Sequence, residues 1–400
     1  MKIAHLADLH LGFRRFTYDT ASGINQREHD VAQAAAQAFA MVLEAKPDVV
    51  LIAGDVFHSV RPPNRPILQL FGWLQALRAA GIPVVMVAGD HDTPRSRDSG
   101  SLLGLYRALD VHVAIDEPKL VQLAGLPDIV AVPDIHLRFG RPIPDPLRDT
   151  ILLAHGNAIE MPGVPARLPK ALYSGWLYAA LGHWHVFKQM APMAYYAGAI
   201  EYTSTDPWSE ARQQVPKGWL LVEPGACKVT QMLTPARPHV DLPIADAEQY
   251  ADADSLAHAI LERLAPLRQG AVVRQIVENV PLVWRASVMA AARAEPAVRH
   301  LLHIQLELRR KATRASFAFE MSTPAKAERP NLREQLAEYL QVAPLAADVN
   351  REDFVREGLA ALDAVTPHEE QSNAAAVRVR DPAPPQGDPG QPGQRDPAEG

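Results

Sequence analysis

Five short polar clusters in this chain carry residue types that hold divalent metals. They are Asp8-Leu9-His10, Gly54-Asp55-Val56-Phe57-His58, Gly89-Asp90-His91-Asp92, His155-Gly156-Asn157 and Gly182-His183-Trp184-His185. Aspartate and neutral histidine are the usual ligands for manganese, iron or zinc. Asp8, His10, Asp55, Asp90, His155, His183 and His185 exceed what one ion needs. Two ions about 3.5–4 Å apart, sharing one carboxylate, would use them all. Such a pair lowers the pKa of a bridging water and clamps the attacking and leaving oxygens of a phosphoester. Asp-X-His and His-X-His suit this task, because residues i and i+2 point the same way on extended backbone.

The elements between the clusters explain how they meet. Residues 1–7 read as a strand that ends in the first cluster. A loop through Arg14, Arg15 and Tyr18 follows. Val31, Ala34, Ala35, Ala38 and Val42 fall at helical spacing, which predicts a helix over about 28–45, ended by Pro47. Val49-Val50-Leu51-Ile52 is an unbroken apolar run that delivers Asp55. A loop with Arg61 and Arg65 leads to a helix over about 66–80, closed by Gly81. Val84-Val85-Met86-Val87-Ala88 then delivers Asp90 and His91. This β-α-β-α-β order predicts parallel strands covered by helices. Right-handed crossovers put the three strand ends on one edge. Strands at 151–154 and 177–181 deliver the last two clusters. Short β-rich segments near 193–200, 218–223 and 228–233 are expected to complete a second sheet packed on the first.

Taken singly, each signal has a plainer reading. A strand-end Asp or His is more often a turn former or a satisfied polar group. Asp92 reads as a cap for the following helix. His5, inside the first strand, reads as structural, and Trp184 as packing. Five clusters in order, each after an apolar strand, make coincidence a poor account.

Bulk composition narrows the class. The chain has 400 residues, 48% hydrophobic, enough for a large core and one to three domains. A net charge of −6 excludes a globally basic nucleic-acid binder, though local basic loops can still meet phosphates. The single Cys227 excludes an internal disulfide framework and a thiolate cluster, and fits a reducing, cytoplasmic setting. The N-terminal apolar stretch is interrupted by Asp8 and is too short for a signal peptide. No apolar run reaches the length of a membrane span.

Composition shifts after about Pro235. A helix over 255–267 and strands over 272–280 and 303–308 predict a small α+β unit within 239–325, following a first domain of 1–238. Two amphipathic helices, about 331–341 and 351–364, form a segment over 326–365 whose apolar faces need a partner. Residues 366–400, rich in Pro, Gly, Asp and Gln, are expected to be disordered.

The five clusters resemble the motifs of calcineurin-like metallophosphoesterases. Leu11-Gly12 after the first, Phe57-His58 closing the second and the fifth cluster's His-X-His look most like the SbcD-type DNA repair exonucleases. The motif resemblance covers about residues 1–235. It implies a four-layer α/β/β/α sandwich, with the 239–325 unit in the place of a capping, DNA-binding domain. It implies that Asp8, His10 and His185 hold one metal, that Asp90, His155 and His183 hold the other, and that Asp55 bridges. Mn(II) is the implied ion. His91 is implied as the residue that stabilises the transition state or protonates the leaving oxygen. His58 would orient His91 or the phosphate. The implied partners are DNA, an SMC-like ATPase of the SbcC type bound through the terminal helices, and a second copy of the chain.

One residue departs from that pattern. The family's third motif normally has Asn where this chain has Asp90. The extra negative charge should tighten metal binding and make the bridging water less acidic. Arg14, Arg15, Arg61, Arg65, Arg95 and Arg97 lie in loops after the clusters and could pair with DNA phosphates, the plain alternative being solvated charge. The leading expectation is a DNA exo- and endonuclease. The alternatives are a small-substrate metallophosphoesterase and a DNA-end tether with weak catalysis.

Overall fold

The computed structural model describes residues 1–94, 100–143, 149–159, 166–294, 298–310, 336–337, 340–341 and 350–365. Its strands are β1 (Ile3–Leu6), β2 (Val49–Ala53), β3 (Val84–Val87), β4 (His112–Ala114), β5 (Lys119–Val121), β6 (Ile129–Val132), β7 (Ile151–His155), β8 (Tyr178–Gly182), β9 (Lys188–Ala191), β10 (Ala194–Tyr196), β11 (Gly218–Glu223), β12 (Lys228–Leu233), β13 (His239–Asp241), β14 (Ala245–Asp246), β15 (Val272–Glu278) and β16 (His303–Leu308). Its α-helices are α1 (Gln26–Ala45), α2 (Asn64–Ala79), α3 (Asp134–Arg138), α4 (Lys170–Tyr173), α5 (Pro207–Arg212), α6 (Ala253–Leu264), α7 (Arg285–Ala294) and α8 (Arg351–Val365). Among these residues no helix is long and apolar enough to cross a membrane.

Two six-stranded sheets form the body. The first runs β12-β11-β1-β2-β3-β4 and the second β5-β6-β7-β8-β10-β9. β1, β2, β3 and β4 are parallel, as are β6, β7 and β8. Every residue of β2 is buried, the pattern of a central parallel strand covered on both faces. Ile3, Leu51, Val85, Ile129, Leu153 and Tyr178 fill the space between the sheets. α1 and α2 cover the outer face of the first sheet with Val31, Ala35, Phe39, Leu70 and Leu74. α3 and α4 cover the second sheet with Leu137 and Tyr173. The result is the expected α/β/β/α layering. α1 starts where Asn25 Oδ1 accepts the N–H groups of Arg27 and Glu28.

One expectation needs correction. Residues 218–223 and 228–233 do not complete the second sheet. β11 pairs antiparallel with β1 of the first sheet, Ile3 opposite Val222, and β12 extends that edge. The alternation of β11 explains the choice. Trp219 packs with the α1–α2 layer, while Leu220 and Val222 face the space between the sheets. Among the segments expected there, only 194–196 joins the second sheet, alongside β9.

Residues 1–312 make one compact unit and 313–400 another. Within the first, the segment after Pro238 builds a small parallel sheet. β13 and β14 pair with one side of β15 and β16 with the other, over a core of Leu256, Ile260, Val273, Val277 and Val288. Several contacts tie this sheet to the body, among them the Arg212–Asp241 ion pair between α5 and β13. Arg237 joins the Asp30 carboxylate of α1 to the carbonyl of Gly270, and the ring of Phe16 stacks on His303 with centroids 3.8 Å apart. In the second unit, Leu340 packs against Gly358 of α8, and Arg351 Nη1 donates to the Leu340 carbonyl at 2.8 Å. Most of the helix expected at 331–341, the end of the 239–325 unit and the tail at 366–400 lie outside the described residues.

Candidate metal centre

β1, β2 and β3 of one sheet and β7 and β8 of the other all end at the same edge of the sandwich, and the five clusters meet there. Ligand-capable atoms of Asp8, His10 and His185 lie within 4.8 Å of one another, as do those of Asp90, His155 and His183. Asp55 lies between the two groups. Its Oδ2 is 3.5 Å from His10 Nε2 and its Oδ1 is 3.6 Å from His155 Nε2. All seven metal-ligand candidates are therefore brought together.

The backbone is bent hard to achieve this. Asp8, His10, Asp55 and His183 all have positive φ, at 50, 45, 49 and 116°. Side chains other than glycine rarely adopt such values, and they persist where the surroundings over-determine them. Backbone pairing between the first two clusters supplies that support. Asp8 N–H donates to the Gly54 carbonyl at 3.1 Å and His10 N–H to the Asp55 carbonyl at 2.9 Å. Close approach also demands glycine within the clusters. A Cβ on Gly89 would lie 2.2 Å from Asp55 Oδ1, and one on Gly182 would lie 1.8 Å from the Ala53 carbonyl oxygen.

The histidines are set for metal by what lies behind them. His155 Nδ1 donates to the Ala53 carbonyl at 2.8 Å, which leaves Nε2 facing Asp90 and Asp55. His185 Nδ1 is hydrogen-bonded with Thr203 Oγ1 at 3.3 Å, and its Nε2 faces His10 Nε2 at 3.0 Å. His10 Nδ1 faces His58 Nδ1 at 3.3 Å. Two imidazole nitrogens aimed at each other, each with its other nitrogen occupied, fit a shared cation, and a partner fixing the second nitrogen is the usual support for a metal-bound histidine. His183 turns its Nδ1 to Asp90 Oδ1 at 3.3 Å while its N–H donates to Asp8 Oδ1 at 3.0 Å.

Electrostatics fit the same purpose. Burial, reinforced by Asp55 and Asp90 against the pull of His155, pushes the Asp8 carboxyl up to about 8. Burial also raises Asp55. Burial acts to raise Asp90 too, but the hydrogen bonds and charges of His155 and His183 outweigh it and hold this carboxyl well below the usual range. Burial and neighbouring cationic groups, Lys217 among them for His185, keep His10 and His185 neutral, the form that ligates metal. His155 is the exception. Burial disfavours its charge, but Asp55, Asp90 and Asp8 raise it well above the ordinary value.

His91 and His58 stand at the open side. The two rings stack 5.2 Å apart. His91 Nδ1 donates to the His58 carbonyl at 2.8 Å, and its backbone N–H to Asp55 Oδ1 at 2.9 Å. His58 therefore orients His91 through its carbonyl and faces His10 with its ring. Burial next to His91 lowers His58 to about 4.

The arginines fare differently. Arg14 Nε bonds Glu28 Oε2 at 2.5 Å. Arg15 lies over the ring of Phe16. Arg61 and Arg65 are exposed, Arg65 in the first turn of α2. Arg95 and Arg97 lie outside the described residues.

Three supporting groups escape sequence reasoning. Asp92, read as a helix cap, is buried and accepts the N–H groups of Val56, Phe57 and Gly89, so it joins the second and third clusters. The position of Asp92 two residues after Asp90 was a usable signal, but its role was not. Thr203 and Tyr196, whose hydroxyl bonds the Gly156 carbonyl at 2.7 Å, carry no local signal at all. His5 is structural as read, its Nδ1 2.8 Å from the Tyr178 hydroxyl.

Comparison with known proteins agrees with this geometry. The family model for calcineurin-like phosphoesterases matches residues 1–206. A DNA double-strand break repair protein Mre11 from Aeropyrum pernix is 33% identical over 224 residues, covering 50% of this chain and 53% of the relative. The Mre11 of Thermoplasma acidophilum is 28% identical over 286 residues, covering 66% and 72%. That of Methanocaldococcus jannaschii is 36% identical over 125 residues, covering 31% and 32%. The chain thus spans about half the length of the Aeropyrum relative and under three quarters of the Thermoplasma one.

Asp90 yields a direct test, because its Oδ1 meets both His155 and His183. Asp90→Asn removes one negative charge at that point. The variant is expected to bind Mn(II) more weakly in calorimetry and to shift its pH–rate profile to lower pH. Unchanged affinity and an unchanged profile would contradict a ligand role for the carboxylate.

Proposed function

This chain belongs to the calcineurin-like phosphoesterases, and on that premise we propose that it is a metal-dependent DNA nuclease, exo- and endonucleolytic, acting in double-strand-break repair. In this reading Asp8, His10 and His185 would hold one divalent ion and Asp90, His155 and His183 the other, with Asp55 placed to serve both. The observation that carries it is the convergence of these donors, with the far nitrogens of His155 and His185 already committed to Ala53 and Thr203. The donor set, oxygen and imidazole nitrogen without thiolate, suits Mn(II) and would also accept Fe or Zn. Bound there, the ions would supply an activated water and neutralise charge at the phosphoryl oxygens.

The chain's own residues do the rest. His91 Nδ1 is committed to the His58 carbonyl, so Nε2 is the nitrogen left for substrate. In its cationic form it donates a proton to the leaving oxygen, or a hydrogen bond to a phosphoryl oxygen. His58 keeps the rings of His91 and His10 in place. DNA as substrate is supported by the relatives, which are named for double-strand-break repair. A small-substrate phosphoesterase and a tethering subunit with weak catalysis are the competing readings, and the sheet of β13–β16 set on the body favours the nuclease.

The assay that separates them incubates the protein with Mn(II) and linear DNA, and in parallel with p-nitrophenyl phosphate esters. DNA degradation that needs Mn(II) is expected, and His91→Ala should lower its rate by about 10²–10⁴-fold while metal content stays the same. Cleavage of small esters without DNA degradation would overturn the reading.

We place the contact with an SMC-like ATPase on residues 326–365, where α8 turns Phe354, Val355, Leu359 and Leu362 to one side. A cytoplasmic homodimer completes the proposal. Deleting residues 331–365 should abolish co-purification with the ATPase and spare Mn(II)-dependent nuclease activity. Retention of the complex would refute this placement.

A further inference from the structure

The rim of the site beside Asp90 and His155 carries a group that plays no part in the account so far. Asp134, at the start of α3, is fully buried. Arg138 Nη2 bonds its Oδ2 at 2.6 Å and Arg167 Nη1 bonds its Oδ1 at 3.2 Å. Both arginines stay open to solvent, with side chains 41% and 40% exposed. Among the described residues each spends one nitrogen on Asp134 and keeps the rest of its donor fork. One carboxylate holding two guanidiniums leaves one positive charge in excess. Directly after Arg138 stands Phe139, 60% exposed, with the Arg141 guanidinium 5.7 Å from its centroid. Arg141 itself pairs with Glu117 and is not counted as a free donor.

Backbone contacts fix this group to the metal clusters. Asp134 N–H donates to the carbonyl of Ala88, two residues before Asp90. The Leu137 side chain lies against Gly156, next to His155. Arg167 and Leu168 both donate their N–H groups to the Asn157 carbonyl, and Asn157 Oδ1 accepts from Trp184 Nε1, between His183 and His185. Arg138, Phe139 and Arg167 therefore sit at the strand ends that deliver Asp90, His155 and His183.

We infer that Arg138, Arg167 and Phe139 form a subsite for a nucleic-acid strand with an unpaired base, the arginines on backbone phosphate and the Phe139 ring stacked on the base. Exposed guanidinium pairs of fixed geometry match phosphate. An exposed aromatic ring among them is the platform on which unpaired bases stack. The plain alternative is a surface ion pair with a stray phenylalanine. It explains the one bond each arginine makes to the buried carboxylate, but not why the rest of both forks and an adjacent aromatic ring stay open to solvent. The subsite rests on the DNA reading above and deepens it, because it favours frayed or overhanging ends over flush duplex.

The test measures binding without catalysis. The full chain, with Ca(II) in place of Mn(II), is titrated with fluorescent DNA carrying a 3′ or 5′ overhang and with flush duplex, across a salt series. Arg138→Ala and Arg167→Ala each keep one arginine on Asp134, which protects the fold, and melting temperature checks it. Each should weaken binding to both DNAs and reduce the slope of log affinity against log salt by about one. Phe139→Ala should weaken overhang binding by about tenfold, the size of one base stack, and leave flush duplex nearly unchanged. Arg78→Ala, at the edge where β2 and β3 begin, removes the same charge and should leave the slope unchanged. Wild-type affinity and slope in both arginine variants would overturn the subsite while leaving the nuclease reading intact. Failure of the unaltered protein to bind any DNA would overturn both.

Discussion

Three carboxylates are packed against four imidazoles at an edge where two sheets meet, and the rest of the molecule is arranged to tolerate this. Asp8 and Asp55 are buried, and Asp90 lies within hydrogen-bond distance of His155 and His183. Like charges so close in a low-dielectric site repel unless cations lie among them. The raised Asp8 and Asp55 carboxyls and the raised His155 imidazole record that tension. A pair of divalent cations shared through Asp55 would relieve it. Burial of charge of this kind is costly to a fold and is found where function requires it.

The scaffold meets the requirement with rigid parts. Parallel strands of one sheet deliver Asp8, Asp55 and Asp90, and parallel strands of the other deliver His155 and His183 from the opposite side. Left-handed backbone at Asp8, His10, Asp55 and His183 aims each side chain inward. The groups behind them, Ala53, Thr203 and Asp92, make hydrogen bonds that hold ring and loop in place. The two rims then differ. Near the first cluster, Arg14 is engaged with Glu28 of α1, and Phe16 stacks on His303 and so links the site to the sheet of β13–β16. Near the third and fourth clusters, Arg138 and Arg167 remain open.

Much of the centre was legible in the sequence because its signals are local. An apolar run followed by Gly-Asp or His-X-His states both the strand and the cargo at its end, and helical spacing in 28–45 names the face of α1 that is buried. The parts that were not legible depend on contacts between distant residues. Which sheet 218–223 would join was decided by pairing with Ile3, more than 200 residues earlier in the chain. Thr203 behind His185 and Tyr196 behind Gly156 look like any other hydroxyl. Asp92 was visible, but its three backbone partners, two of them in another cluster, were not. The arginines on Asp134 escaped for the same reason, since Arg167 lies 33 residues along the chain from the carboxylate it shares with Arg138.

The central claim is that Asp55 joins two metal positions into one centre. Electron paramagnetic resonance of the Mn(II)-loaded protein, with metal per chain counted in parallel, tests it most directly. The account predicts two ions per chain with the signal of a spin-coupled pair, and at most one uncoupled ion in Asp55→Ala of unchanged fold. Two coupled ions retained in Asp55→Ala would contradict it.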